Sequence, residues 1–193
     1  LVNPESPDQL SDMISLIATA TNTQDKADQL LDFINQEKEM LTTSLATADD
    51  TPNIYLAGNS SLLSTAGPAM YQSGIIELAG GKNVASDISD TYWAEISYEQ
   101  LLSWDPDYII LASDAEYTVD DVLSDPNLKD CTAVKNNHVY AIPGDIEALD
   151  SPVPASILAS IWLAGILHPD QVSTDTYTKE MNSFYETFYG IKK

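Results

Sequence analysis

Apolar residues along the chain change their spacing twice, and the changes divide it into parts. Leu1-Val2-Asn3-Pro4 reads as the tail of a strand, and a helix starts directly after it. Ser6 can cap that helix, Pro7 suits its first position, and Gln9 stands where a capping box wants a polar partner. Leu10, Met13, Ile14 and Ile17 then share one helical face. A longer amphipathic helix is predicted from a Thr23 cap to about Leu45. Its stripe is Ala27, Leu30, Leu31, Ile34, Leu41 and Leu45, with Asp and Glu opposite.

A polar break from Thr47 to Pro52 ends this regime, and short apolar runs then alternate with amphipathic stretches. Strands are predicted at Asn53–Ala57, Tyr108–Ala112 and His138–Ile142, with a short extended piece at Asn83–Ala85. Tyr108-Ile109-Ile110-Leu111 is a continuous apolar run, as expected of a strand covered on both faces. Helices fall near 68–79, 98–104, 118–124, 152–167 and 175–189. Gly80-Gly81 ends the first of these. Ser97 and Gln100 form a capping box for the second, with Ile96 and Leu101 as a staple. The last carries Tyr177, Met181, Phe184, Tyr185 and Phe188 on one side, a core stripe. Strands separated by helices of this length predict an α/β fold: a three-layer αβα lobe with a mostly parallel central sheet, preceded by a long helix.

Composition narrows the function. The 193 residues are 44% apolar, which suits a globular core. Eight basic residues, all lysine, face 30 acidic ones, a net charge of −22 that repels nucleic acid and anionic lipid. The acid is scattered, as on a solvated surface. The chain opens on Leu1 with no basic segment leading into an apolar run, so any signal or lipid-anchor segment is expected to lie outside it. The longest apolar run, Pro152 to Leu167, is 16 residues and holds Pro154. It is shorter than the roughly 20 residues of a membrane span and reads as a buried helix. The single cysteine, Cys131, fits either redox compartment.

Catalytic patterns are weak. His138 and His168 lie in different elements without zinc-ligand spacing, and no nucleophile elbow, phosphate loop or dinucleotide fingerprint is present. His168, before Pro169 at a helix end, suits the helix dipole, and His138 reads as a surface residue. Cys131 reads as a packed thiol. Asp120 and Asp121 are adjacent on a helix and do not face each other. No catalytic residue, metal ligand or cofactor is therefore expected. Three segments look built for contact instead: Gly58-Asn59-Ser60-Ser61 after the first strand, Tyr92-Trp93 before the capped helix, and Gly144–Asp150 after the last strand.

Ala94–Leu102 with Asp105–Leu111 resembles the carboxyl-terminal lobe of ABC-transporter substrate-binding proteins, in the helix-bridged class handling ferric siderophores, haem and vitamin B12. Ala79–Val84, Ala133–Pro143, and Ile161–Ala164 with His168-Pro169 agree with it. The resemblance implies residues 1–22 as a remnant of the amino-terminal lobe, 23–46 as the interlobe helix and 47–193 as the carboxyl-terminal lobe, with about half of a full-length protein lying elsewhere. It implies an extracytoplasmic importer component with no enzymatic activity, capturing an iron complex, haem or cobalamin between two lobes and docking on an ABC permease.

Residue by residue, it places Trp93 against the ligand, Asn59 and Ser60 on the first cleft-side loop, Asp150 on the loop opposite, and Glu99 on the permease. This lobe has no arginine, so an anionic ligand would need its counter-charge from elsewhere, and a neutral or cationic complex conflicts less. The stripe at residues 10–17 is expected to fold back on the lobe or to pair with a second copy. The alternative is a stand-alone α/β enzyme or sensor domain using the Gly58–Ser61 loop.

Overall fold

The computed structural model describes Pro4, residues 6–88 and residues 92–192. The strand tail expected at residues 1–3 lies outside them. Helix α1 (Pro7–Thr21) is capped by Ser6, whose hydroxyl accepts from the Gln9 amide at 3.3 Å. Helix α2 (Gln24–Leu45) follows after two residues. Thr23 stands at its N-cap without capping through its side chain. The Thr23 hydroxyl pairs with that of Thr21 at 2.8 Å instead, a correction to the expected cap.

The strands are β1 (Asn53–Ala57), β2 (Ser64–Ala66), β3 (Lys82–Asn83), β4 (Trp93–Glu95), β5 (Tyr108–Leu111) and β6 (Val139–Ala141). Five lie in the order β4-β2-β1-β5-β6, and β3 pairs with β1. Strands β1, β3, β5 and β6 run parallel, while β2 and β4 are antiparallel additions. A strand has two edges, and β5 takes one edge of β1 from Ile54 to Ala57. Strand β3 holds the start of the other edge at Asn53 and Ile54, and β2 holds its end at Ala57.

Alternation along these strands sorts the core into two layers. Ile54, Leu56 and Ile110 face α1, α2, α3 (Tyr71–Leu78), α7 (Ile157–Leu167) and α8 (Thr174–Phe184). Tyr55, Ala57, Ile109, Leu111 and Val139 face α4 (Tyr98–Trp104), α5 (Val119–Leu123) and α6 (Thr132–Lys135). Both faces being covered explains the unbroken apolar runs, each buried Leu or Ile contributing roughly 1.5–3 kcal/mol. The 16-residue apolar run divides at Pro154 into a 3₁₀ turn, Pro154–Ser156, and α7, which is buried nearly all round. The last helix likewise changes hydrogen-bonding pattern, α8 passing into a π turn at Tyr185–Tyr189.

Several expectations meet a packing reason here. Gly80 has φ +80, and a Cβ there would lie 2.7 Å from His168 Nε2, so the helix stop and a close approach require the same glycine. His168 is buried; Nε2 donates to the Gly80 carbonyl at 3.2 Å and Nδ1 lies 3.6 Å from the Asp50 carboxylate. His138 stacks on Tyr108 at 4.5 Å and donates from Nδ1 to the Asp107 carbonyl at 3.2 Å. Cys131 is fully buried, and burial pushes its thiol pKa up, away from a reactive thiolate. The early stripe folds back on the lobe: Leu10, Ile14 and Ala18 join the α2–α3–α7 core, while Leu16 and Ile17 remain exposed.

Candidate functional site

The loops that follow β1, β5 and β6 are tied to one another. The Asn59 side-chain amide donates to Asp114, and the Asn59 carbonyl accepts from the Glu116 amide at 2.8 Å. Tyr117 donates its hydroxyl to the Gly58 carbonyl at 2.6 Å. These bonds join the loop after β1 to the loop after β5. That second loop is joined to the third by Asp150, whose carboxylate accepts from the Ser113 hydroxyl at 2.5 Å and from its amide at 3.4 Å. Gly144 makes the approach close, since a Cβ there would sit 3.0 Å from both Ser113 Cβ and its carbonyl oxygen. All three loops leave the carboxyl ends of parallel strands, where open α/β sheets gather ligands.

Trp93 belongs to the same rim by a route the sequence pattern did not indicate. It begins β4, an edge strand paired with β2 through Ala66, rather than lying in a loop. Its indole lies over Gly58, whose added Cβ would be 3.0 Å from Trp93 Cζ3. Trp93 and Tyr92 are among the large apolar side chains left exposed, at 40% and 53%. Holding a tryptophan this open costs apolar burial that the core would otherwise gain.

Beside Trp93 lies a hollow of about 270 Å³ lined by Met70, Tyr71, Gln72, Tyr92, Trp93 and Pro152 among others, with no charged side chain among the described lining residues. Its floor is the start of α3. Buried polar groups around it are matched. Asn83 Nδ2 donates to the Ala66 carbonyl and to the Ser73 hydroxyl, both at 2.9 Å. The Ser73 hydroxyl donates to the Gly67 carbonyl at 3.0 Å. The Tyr71 and Ser156 hydroxyls share a bond of 2.6 Å. Gln72 differs: it is 8% exposed and its Oε1 has no partner. Sequence reasoning missed Gln72, because an orphaned acceptor exists only once its surroundings are built.

Of the expected contact residues, Asn59, Ser60 and Trp93 stand on this rim, with Ser60 exposed. Asp150 departs from the expectation. It is 3% exposed with both oxygens engaged by Ser113, and in this way it braces the rim. Glu99 is exposed in the first turn of α4. Its own backbone amide and the Ser97 hydroxyl hold its carboxyl below the usual range. Among the described residues, no group of three or more His, Cys, Asp or Glu side chains could hold a metal ion. No described helix is long and apolar enough to cross a membrane.

Known proteins share this fold. The chain is 28% identical over 185 residues to the molybdate-binding protein MolA of Haemophilus influenzae, covering 94% of this chain and 52% of MolA. The structure of MolA bound to molybdate superposes with a TM-score of 0.84 at 27% identity, over 96% of this chain and 57% of that one. A cobalamin-binding protein of Halobacterium salinarum is 28% identical over 110 residues, 54% of this chain and 29% of that protein. A periplasmic solute binding protein from Veillonella parvula shares the fold with a TM-score of 0.87 at 24% identity, over 100% of this chain and 59% of that one. The chain thus spans about half the length of MolA. The family model described as periplasmic binding protein matches residues 1–146. With that match over most of its length and a mixed sheet clothed by helices on both faces, the chain belongs to the periplasmic binding protein family, in its helix-bridged class.

Proposed function

We propose that this chain supplies one jaw of the extracytoplasmic substrate-binding component of an ABC importer for a neutral or cationic complex: cobalamin, haem or a ferric siderophore. In this reading α2 is the interlobe helix, its 22 residues reaching about 33 Å. Residues 47–193 form the carboxyl-terminal lobe, and residues 1–22 are the remnant of the other, with α1 packed on this lobe through Leu10, Ile14 and Ala18. Asn59, Ser60 and Trp93 meet the ligand, and Glu99 docks on basic residues of the permease. The chain binds and delivers; it makes and breaks no bond. Full-length protein anchored as a lipoprotein, or held in a periplasm, satisfies the same scheme.

The observation that carries this reading is the exposed Trp93 beside a hollow whose described lining is uncharged, in a chain of net charge −22 without arginine. An aromatic wall suits the face of a large complex. A doubly charged oxyanion would meet a repelling field and no guanidinium fork. A second reading, molybdate, is favoured by the identity to MolA over nearly the whole chain. Its counter-charge would have to come from the other lobe. No specific observation favours the alternative of an enzyme or sensor using Gly58–Ser61.

Isothermal titration of the full-length protein decides between them. Submicromolar binding of cyanocobalamin, haemin or a ferric siderophore, with no heat from molybdate, is the expected result. Tight molybdate binding alone would overturn the proposal.

A further inference from the structure

An exposed tryptophan on a surface samples several rotamers, and a ligand that needs one of them must order it on binding. Trp93 is 40% exposed, yet its seat is narrow. Its backbone is fixed by the pairing of β4 with β2, and its Cζ3 comes so near Gly58 that a Cβ there would lie 3.0 Å away. The same Cβ would meet Ser64 Cβ and the Ser64 carbonyl oxygen at 3.2 Å. Gly58 is not one of the glycines with positive φ, so close approach alone requires a glycine here.

This glycine shelf is itself held from two sides. Its amide donates to the Ser64 carbonyl at 2.7 Å, and its carbonyl accepts from the Tyr117 hydroxyl at 2.6 Å. Tyr117 stands on the loop after β5 and packs against the core layer under α4 and α5. The bond therefore ties the shelf to a different strand's loop, which a local turn could not do. A second tyrosine holds the far end of the same segment: the buried Tyr55 donates its hydroxyl to the Leu62 carbonyl at 2.6 Å. Burial pushes the Tyr117 phenol up from its ordinary value, which keeps it a donor across the neutral range.

We infer that Tyr117 is a positioning residue of the binding rim: by donating to the Gly58 carbonyl it fixes the shelf that seats the Trp93 indole in one orientation before a ligand arrives. This rests on the binding reading above and deepens it, since Trp93 is the contact in that reading and Tyr117 acts through it. Without the hydroxyl, shelf and indole gain freedom that binding must remove, and affinity falls although the groups that touch the ligand are unchanged.

The test compares full-length wild type with Tyr117→Phe, which removes one oxygen, and with Gly58→Ala, which places a methyl on the shelf. Each protein is labelled with 5-fluorotryptophan, and the Trp93 fluorine resonance is assigned by its loss in Trp93→Phe. Trp162, which packs on the core layer of the opposite sheet face, is the control. In ligand-free protein the expected result is one narrow Trp93 resonance for wild type, broadened in Tyr117→Phe and shifted in Gly58→Ala, with Trp162 unmoved. Cyanocobalamin, haemin, ferrichrome and molybdate are then titrated. The complex that wild type binds should bind about 3- to 10-fold more weakly to either variant. A Trp93 resonance unchanged in both variants overturns the inference and leaves the binding reading standing. So does a changed resonance without loss of affinity, or a Trp162 resonance that changes as much as Trp93. Wild type binding molybdate alone overturns the binding reading and the inference with it.

Discussion

Two groups of aromatic side chains in this molecule receive opposite treatment. On α2 and α8, Phe33 packs on Phe184 at 5.3 Å and on Phe188 at 5.9 Å. Phe184 also meets Phe188 at 5.0 Å and Tyr185 at 5.4 Å. Phe184 is fully buried at the centre, with Phe33 and Phe188 half-buried around it and Tyr189, 5.9 Å away, exposed at the margin. At the rim of the sheet, Tyr92 and Trp93 stand half in solvent over a hollow. The first group spends its apolar surface on fixing the long helix to the lobe. The second keeps its surface available, and a fold that buries Phe184 completely had the means to bury Trp93. The difference separates residues that hold the jaw together from residues that the jaw presents.

The strongest way to break the first group is Phe184→Ala. Removing a fully buried ring at the junction of α2 and α8 should cost about 3–5 kcal/mol by chemical denaturation. A cost under about 1 kcal/mol would mean that the cluster does not hold α2 to the lobe.

A smaller effect sharpens the same side. Glu37 on α2 is 8% exposed and lies near Glu180 and Lys179 of α8. Burial first, and then the Glu180 charge, push its carboxyl up to about 7, against an opposing pull from Lys179. The folded protein therefore holds this proton more tightly than the unfolded chain does. The cost of Glu37 is absent below the ordinary carboxylate pKa, grows as pH rises toward 7, and is complete above it. Glu37→Gln should stabilise the protein by about 1 kcal/mol at pH 8, after allowance for solvent screening, and by nothing measurable at pH 4. Equal effects at the two pH values would contradict this account of the α2–α8 contact.

The sequence made one side of this contrast legible and hid much of the other. Strand β1 was readable to the residue, and β5 nearly so, because a run such as Ile54-Tyr55-Leu56-Ala57 needs cover on both faces. The stripe on the last helix was likewise readable as core, with Phe184 and Tyr185 buried as expected. Strands β2 and β4 were not readable. Three residues each, Ser64–Ala66 and Trp93–Glu95, are too short for a period, and their pairing is a long-range event. The rim was therefore visible only as three separate segments. What joins them, Asn59 to Asp114, Ser113 to Asp150 and Gly58 to Trp93, crosses between elements distant in sequence. Asp150 was readable as a loop carboxylate but not as a buried brace, for the same reason. Helix starts were mixed: Ser6 and Ser97 cap through their hydroxyls, whereas Thr23 is drawn to Thr21.

The central claim, that the open aromatic rim serves binding and contributes little to holding the fold, is tested most directly by Trp93→Ala in the full-length protein. Denaturation and titration with cyanocobalamin, haemin and a ferric siderophore are measured on the same preparation. The account predicts stability within about 0.5 kcal/mol of wild type, together with at least a 10-fold loss of affinity for whichever probe the wild type binds. Unchanged affinity combined with a stability loss of several kcal/mol would contradict it, and would place Trp93 with Phe184 among the residues that hold the jaw together.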